Sequence, residues 1–91
     1  MDIYTEIKKI LMEILDLEGQ AVTPESLLVQ ELGVESIDLL ELAAALNVRF
    51  KVEVREEDIF TAPAGGPAVR VKDLVSYVAW QQRKAETHVH P

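Results

Sequence analysis

The amino-acid sequence predicts an all-α domain: a small four-helix bundle with a long first loop and a short third helix. Three observations carry that expectation. Apolar residues recur at the three-to-four-residue spacing of a helix in three separate stretches. Apolar content is 48% while aromatics make up only 5%, so the core must be built from Leu, Ile, Val and Ala, a mixture typical of small bundles. Ninety-one residues suit one compact unit with a modest core and leave no room for a separate catalytic lobe. Residues 1–85 read as that unit and 86–91 as a disordered tail.

The first helix is expected over residues 3–17, where Ile3, Ile7, Ile10, Leu11, Ile14 and Leu17 form one apolar stripe. Asp2 is its N-cap and Gly19 its stop. Its charges, Glu6, Lys8, Lys9, Glu13 and Asp16, read as a solvated face. Residues 18–35 are too long for a simple turn between neighbouring helices, and connections of that length usually carry structure or function. Thr23-Pro24-Glu25 has the form of an N-cap, an N1 proline and an acidic first turn, so a short helical turn is expected there. Leu27, Leu28, Val29 and Leu32 tie the loop to the core, and Gly33 permits a sharp change of backbone direction before Ser36.

The second helix is expected over residues 36–50 and has two apolar faces. Leu39, Leu42, Ala43, Leu46 and Phe50 form the core face. Ile37, Leu40, Ala44 and Val48 form a second strip on the side towards Ser36, with Glu41 beside it. Further core is the commoner meaning of such a strip; a docking surface is the other. Lys51-Val52-Glu53-Val54 alternates like a strand but has no visible partner, so it reads as an extended connector. Arg55–Phe60 is the short third helix, with an acidic first turn and with Ile59 and Phe60 turned inward. Residues 61–68, rich in Pro and Gly, are a loop. Gly65-Gly66 lacks the lysine, the Ser/Thr and the preceding strand of a phosphate-binding loop.

The last helix, over residues 72–84, carries Val71, Leu74, Val75 and Val78 on one face, with Trp80 nearly opposite. Trp80 is therefore either covered by the tail or a neighbouring loop, or held out as a contact for a partner. Both histidines, His88 and His90, fall in the tail. They could bind a metal only weakly, since no third ligand is evident, and a disordered end is the plainer reading.

Sixteen acidic against nine basic residues give a net charge of −7, which repels nucleic acid and favours basic protein surfaces. There is no cysteine, so disulfides and thiolate chemistry are excluded. No apolar run reaches membrane-spanning length and no signal sequence opens the chain, so a soluble, unprocessed, cytoplasmic monomer is expected.

A serine at a helix start is most often a cap. Its surroundings here say more. Leu32-Gly33-Val34-Glu35-Ser36-Ile37-Asp38, followed by Glu41-Leu42 and by Leu46 and Phe50, resembles the modification site of acyl carrier proteins, and the helix layout over about residues 3–80 is similar to theirs. The resemblance implies a 4′-phosphopantetheine arm esterified to Ser36, supplied from coenzyme A by a phosphopantetheinyl transferase, and ending in a thiol that holds acyl groups as thioesters. It implies a carrier in fatty-acid, lipid or polyketide-type biosynthesis, not an enzyme. A Ser-His hydrolytic pair would have to borrow its base from the tail.

On the same resemblance, Glu35, Ile37, Asp38, Leu40, Glu41, Ala44 and Val48 are expected to meet acyl-loading and acyl-processing enzymes through basic or apolar docking patches. Leu42, Leu46, Val54, Ile59 and Val75 are expected to line an acyl pocket. No metal is implied. The chain departs from the family's usual pattern in having Glu35 and Ile37 where aspartate and leucine are common. It also has Asn47, Val48 and Arg49 where the second helix usually carries acids, and a longer loop over 61–70. These features suggest a specialised stand-alone carrier of bacterial type. The other reading is an unmodified helical interaction domain that docks through Leu40, Ala44 and Val48, with Ser36 as a plain cap.

Overall fold

The computed structural model describes residues 2–55, 57, 59 and 69–87. Within them the chain forms helix α1 (Ile3–Leu15), one 3₁₀ turn (Gly19–Ala21), helix α2 (Ser36–Phe50) and helix α3 (Val71–Thr87). This is the small all-α domain that the apolar periodicity predicts. Glu57 and Ile59 are helical too. The other residues expected to extend that short helix, Phe60 included, lie outside the described residues, as do the loop 61–68 and both histidines.

α1 starts as expected. The Asp2 carboxylate accepts hydrogen bonds from the Thr5 N–H at 3.0 Å and the Thr5 hydroxyl at 2.6 Å, which satisfies one of the orphan donors of the first turn. The helix ends earlier than the sequence suggests. Asp16 adopts the left-handed conformation (φ 55°) and the Leu17 N–H turns back to the Met12 carbonyl at 3.0 Å. A short polar side chain tolerates that conformation and ends the helix before Gly19 is reached.

Not all of the charged side chains on α1 are solvated. Glu6 is buried and pairs with the Arg49 guanidinium on α2 and, at 3.7 Å, with Lys9. A carboxylate at that depth requires a paired cation, and the partner lies 43 residues away, where helical spacing within α1 cannot reveal it.

The long loop is more constrained than its length suggests. The expected helical turn at Thr23-Pro24-Glu25 is instead a single turn, closed by the Ser26 N–H donating to the Thr23 carbonyl at 3.1 Å, with Pro24 at its second position. The 3₁₀ turn lies upstream. Leu27 and Arg70 form an antiparallel bridge, framed by the Leu28 N–H on the Val69 carbonyl and the Val71 N–H on the Ser26 carbonyl, both at 3.0 Å. Arg70 also donates to the Glu25 carbonyl at 2.6 Å, and Lys72 pairs with the Glu25 carboxylate at 3.1 Å. The loop is thereby clasped to the entrance of α3, while Leu28, Leu32 and Val34 enter the core.

α1 packs against both α2 and α3, and α2 meets α3 less extensively. Ile7, Leu11, Leu42, Leu46, Leu74 and Val78 are fully buried at the centre. Among the described residues, no buried side-chain nitrogen or oxygen lacks a partner. α3 begins one residue before the expected start, where the Asp73 carboxylate accepts the Arg70 N–H at 2.9 Å. It continues to Thr87, into the segment expected as a disordered tail; residues 88–91 lie outside the described residues.

Candidate functional site

The entry to α2 is fixed by three successive residues. Gly33 takes φ +74° with open space where a Cβ would stand, so its glycine answers a backbone need and not a steric one. Val34 then turns inward and its N–H meets the Leu28 carbonyl at 3.0 Å. Glu35 is extended and is the N-cap: its carbonyl accepts the Leu39 N–H at 3.0 Å, and the Asp38 carboxylate accepts the Glu35 N–H at 2.9 Å.

Ser36 is therefore the first residue inside the helix, not the cap. This corrects the reading of it as a plain capping serine. Its side chain is exposed, and among the described residues its hydroxyl has no hydrogen-bond partner. The two carboxylates nearest it in sequence, Glu35 and Asp38, both belong to the helix cap, with Asp38 accepting the Glu35 N–H. A serine so placed cannot activate itself as a nucleophile, but an external catalyst can reach it from solvent. The first N–H groups of α2 have no partner within the helix and favour an anion at this end.

The second strip of α2 is not further core. Ile37 is 62% exposed, Leu40 52% and Val48 81%, and Glu41 and Ala44 are exposed with them. The helices α1 and α3 bury the opposite face, Leu39, Leu42, Ala43, Leu46 and Phe50. Asp38 is half-buried at the head of the strip. Of the residues expected to line an acyl pocket, Leu42, Leu46, Val54 and Ile59 are buried in one core cluster and Val75 packs on its edge.

Sequence reasoning missed what Asn47 and Arg49 do. The Asn47 amide donates to the Val54 carbonyl at 3.0 Å and its oxygen accepts the Val54 N–H at 2.6 Å. One side chain thus satisfies both backbone groups of Val54, as a neighbouring strand would, and holds the connector against α2 with Val52 and Val54 buried. The connector's lack of a strand partner was the only signal in the sequence: something else had to bond its backbone. Arg49 is the partner of Glu6 described above.

Trp80 stays 47% exposed. It stacks on Tyr77, with centroids 6.0 Å apart, and Lys84 lies 4.9 Å from its ring centroid, so its partners within the described residues come from its own helix. The tail residues and the loop that were candidates to cover it lie outside the described residues. Among the described residues no group of acids and histidines could hold a metal ion, and no helix is long and apolar enough to cross a membrane.

A helical domain that presents an uncommitted serine at a helix start, without a base of its own, has the makings of a carrier: it offers a point of attachment and leaves the chemistry to others. The phosphopantetheine attachment site family matches residues 5–64. The chain is 34% identical to an acyl carrier protein of Nitratidesulfovibrio vulgaris over 82 residues, covering 90% of this chain and all of that protein. Acyl carrier proteins of Campylobacter lari and Helicobacter hepaticus are 32% and 31% identical over 78 residues, 86% of this chain and 94% and 95% of theirs. The chain belongs to the acyl carrier protein family. It is a non-enzymatic carrier whose cofactor is 4′-phosphopantetheine, and phosphopantetheinyl transferases and acyl-handling enzymes are its partners.

Proposed function

We propose that Ser36 carries the 4′-phosphopantetheine arm and that the chain is a specialised carrier, serving enzymes of fatty-acid, lipid or polyketide-type biosynthesis. One observation carries the assignment: Ser36 combines an exposed, uncommitted hydroxyl with the first turn of a helix inside the family-matched span. When bound, the arm supplies a thiol for acyl thioesters. The chain itself supplies the hydroxyl, a fixed backbone at Gly33–Glu35 and a site open to solvent. Mg²⁺ and a base belong to the transferase.

Glu35, Ile37, Asp38, Leu40, Glu41, Ala44 and Val48 are the surface that partner enzymes meet, through basic patches near the carboxylates and apolar patches along the strip. Exposed ion pairs contribute only about 0–1 kcal/mol each and are screened by salt, whereas apolar burial contributes roughly 25 cal/mol per Å². Leu42, Leu46, Val54, Ile59 and Val75 are where an acyl chain slips between the helices. Each methylene buried there gains roughly 0.8 kcal/mol, so a chain of several carbons is retained and yet withdrawn by a partner of similar apolar capacity. Residues 1–85 act as one domain, as a cytoplasmic monomer.

The test is mass. Incubated with coenzyme A, Mg²⁺ and broad-specificity phosphopantetheinyl transferases, the protein gains one phosphopantetheine, and Ser36→Ala gains none while remaining folded. Failure of the wild-type protein to gain that mass with several active transferases, or retention of the gain in Ser36→Ala, refutes the assignment.

A further inference from the structure

The exposed strip on α2 runs to the edge of a cleft. Its last residue, Val48, also lines a cleft of about 200 Å³ between α1 and α2, with Ile10, Ile14 and Ala45 as the other apolar walls and Glu13 and Arg49 on the rim. Engineered apolar cavities of about 150 Å³ accept benzene, so this volume admits a side chain the size of Leu, Met or Phe. The two rim charges are not equivalent. Arg49 is already paired with Glu6, whereas Glu13 is exposed and, among the described residues, unpaired. The cleft therefore offers an apolar slot beside one unneutralised negative charge.

The geometry points to this cleft as the far anchor of the docking surface: it receives an aliphatic, Met or Phe side chain that projects from a partner enzyme, with a Lys or Arg of that enzyme beside Glu13. The inference rests on the reading of Ser36 as the attachment site. Ile37 and Val48 are eleven residues apart on one helix, about 16 Å along its axis. An enzyme that grips the strip near Ser36 and fills the cleft at the other end is fixed in both position and direction along α2. Single side chains seated in desolvated pockets commonly dominate interface energetics. A second copy of this chain is a poor occupant, because each copy carries a net charge of −7 and like charges oppose the approach.

Crosslinking in the native host tests this. A photo-reactive phenylalanine is placed at the exposed positions Leu40 and Glu13 in separate experiments, and the captured proteins and their contact peptides are identified by mass spectrometry. The expected result is one enzyme captured from both positions, with the Glu13 contact at an apolar residue next to a Lys or Arg. With that enzyme purified, Ala45→Trp, which fills the cleft, weakens binding at least tenfold, and Glu13→Lys at least threefold. Should Ala45→Trp fail to fold, Glu13→Lys, at an exposed cleft position outside the strip, carries the test with its threefold expectation. Capture of no common enzyme, capture of a second copy of this chain from Glu13, or affinities within twofold of wild type overturns the proposal. Mass gain at Ser36 is measured separately, so loss of the attachment reading and loss of the cleft reading are distinguishable.

Discussion

Removing the Asn47 side chain tests whether the fold depends on an amide standing in for a strand. In Asn47→Ala both the N–H and the C=O of Val54 lose their partner, while the residue itself is only 3% exposed. A buried backbone group left without a partner costs about 1–3 kcal/mol. Asn47 is half-buried, so water relieves part of this, and the lower half of the range for each of two groups gives about 2–4 kcal/mol. For a domain of this size 1 kcal/mol moves the melting temperature by roughly 4–8 °C, so a fall of roughly 10–30 °C is expected. Asn47→Asp keeps an acceptor for the Val54 N–H but turns a second carboxylate oxygen on the Val54 carbonyl. Its loss is dominated by one group and should be about 1–2 kcal/mol. Urea unfolding followed by far-UV circular dichroism measures both. An Asn47→Ala protein within about 0.5 kcal/mol of wild type, or one more stable than Asn47→Asp, refutes the reasoning.

Arg49→Ala leaves the buried Glu6 carboxylate with only Lys9, at 3.7 Å, and, discounted for the partial exposure of Arg49, should cost about 1–2 kcal/mol by the same assay; restoring most of that loss by adding Glu6→Gln would identify the under-paired charge as the cause. The Asp2 carboxyl is held below its ordinary value of 3.8 by the Thr5 hydroxyl and then by the Thr5 N–H. A depressed group contributes stability above its unfolded value and loses it as pH falls through the folded one, so the melting difference between wild type and Asp2→Ala should be full at neutral pH, start to shrink only as pH falls below 3.8, and disappear below the folded value. Ser36→Ala removes no hydrogen bond seen among the described residues, so its unfolding free energy should stay within about 0.5 kcal/mol of wild type. A medium-chain acyl form should melt above the holo form, because part of its chain leaves water; identical melting curves would argue against an acyl site among Leu42, Leu46 and Ile59.

The sequence revealed whatever depends on spacing along one helix. The stripe Ile7, Ile10, Leu11 and the face Leu39, Leu42, Leu46 are buried as read, because 3.6 residues per turn makes a helix face a local property. The Asp2 cap and the turn at Gly33 were legible for the same reason. What stayed hidden depends on pairs far apart in sequence: Glu6 with Arg49, Asn47 with Val54, Leu27 with Arg70. Burial on two sides of α2 was misjudged because an apolar strip has the same pattern whether a neighbour covers it or not. Only the positions of α1 and α3 decide that, and they leave Leu40 and Val48 in solvent. Ser36 was singled out by the motif around it; its place one residue inside the helix depends on Glu35 taking the cap.

The same pairs explain why the chain can depart from its family's usual acidic second helix. Asn47 and Arg49 stand where acids are expected, and both turn their polar groups towards the domain, one to the connector and one to α1. An acid at position 49 would face the buried Glu6 and repel it; an acid at 47 would face the Val54 carbonyl. Charge on this part of α2 is thus set by internal bonding, and Val48 between them is left as the outward residue, 81% exposed. The acidic character of the protein survives elsewhere, in its net charge of −7, and acts at long range on how often a basic partner arrives. On the docking surface proposed above, how long that partner stays is set at contact distance by Ile37, Leu40, Ala44 and Val48, which offer apolar area and not charge. On that proposal, attraction and grip belong to different residues.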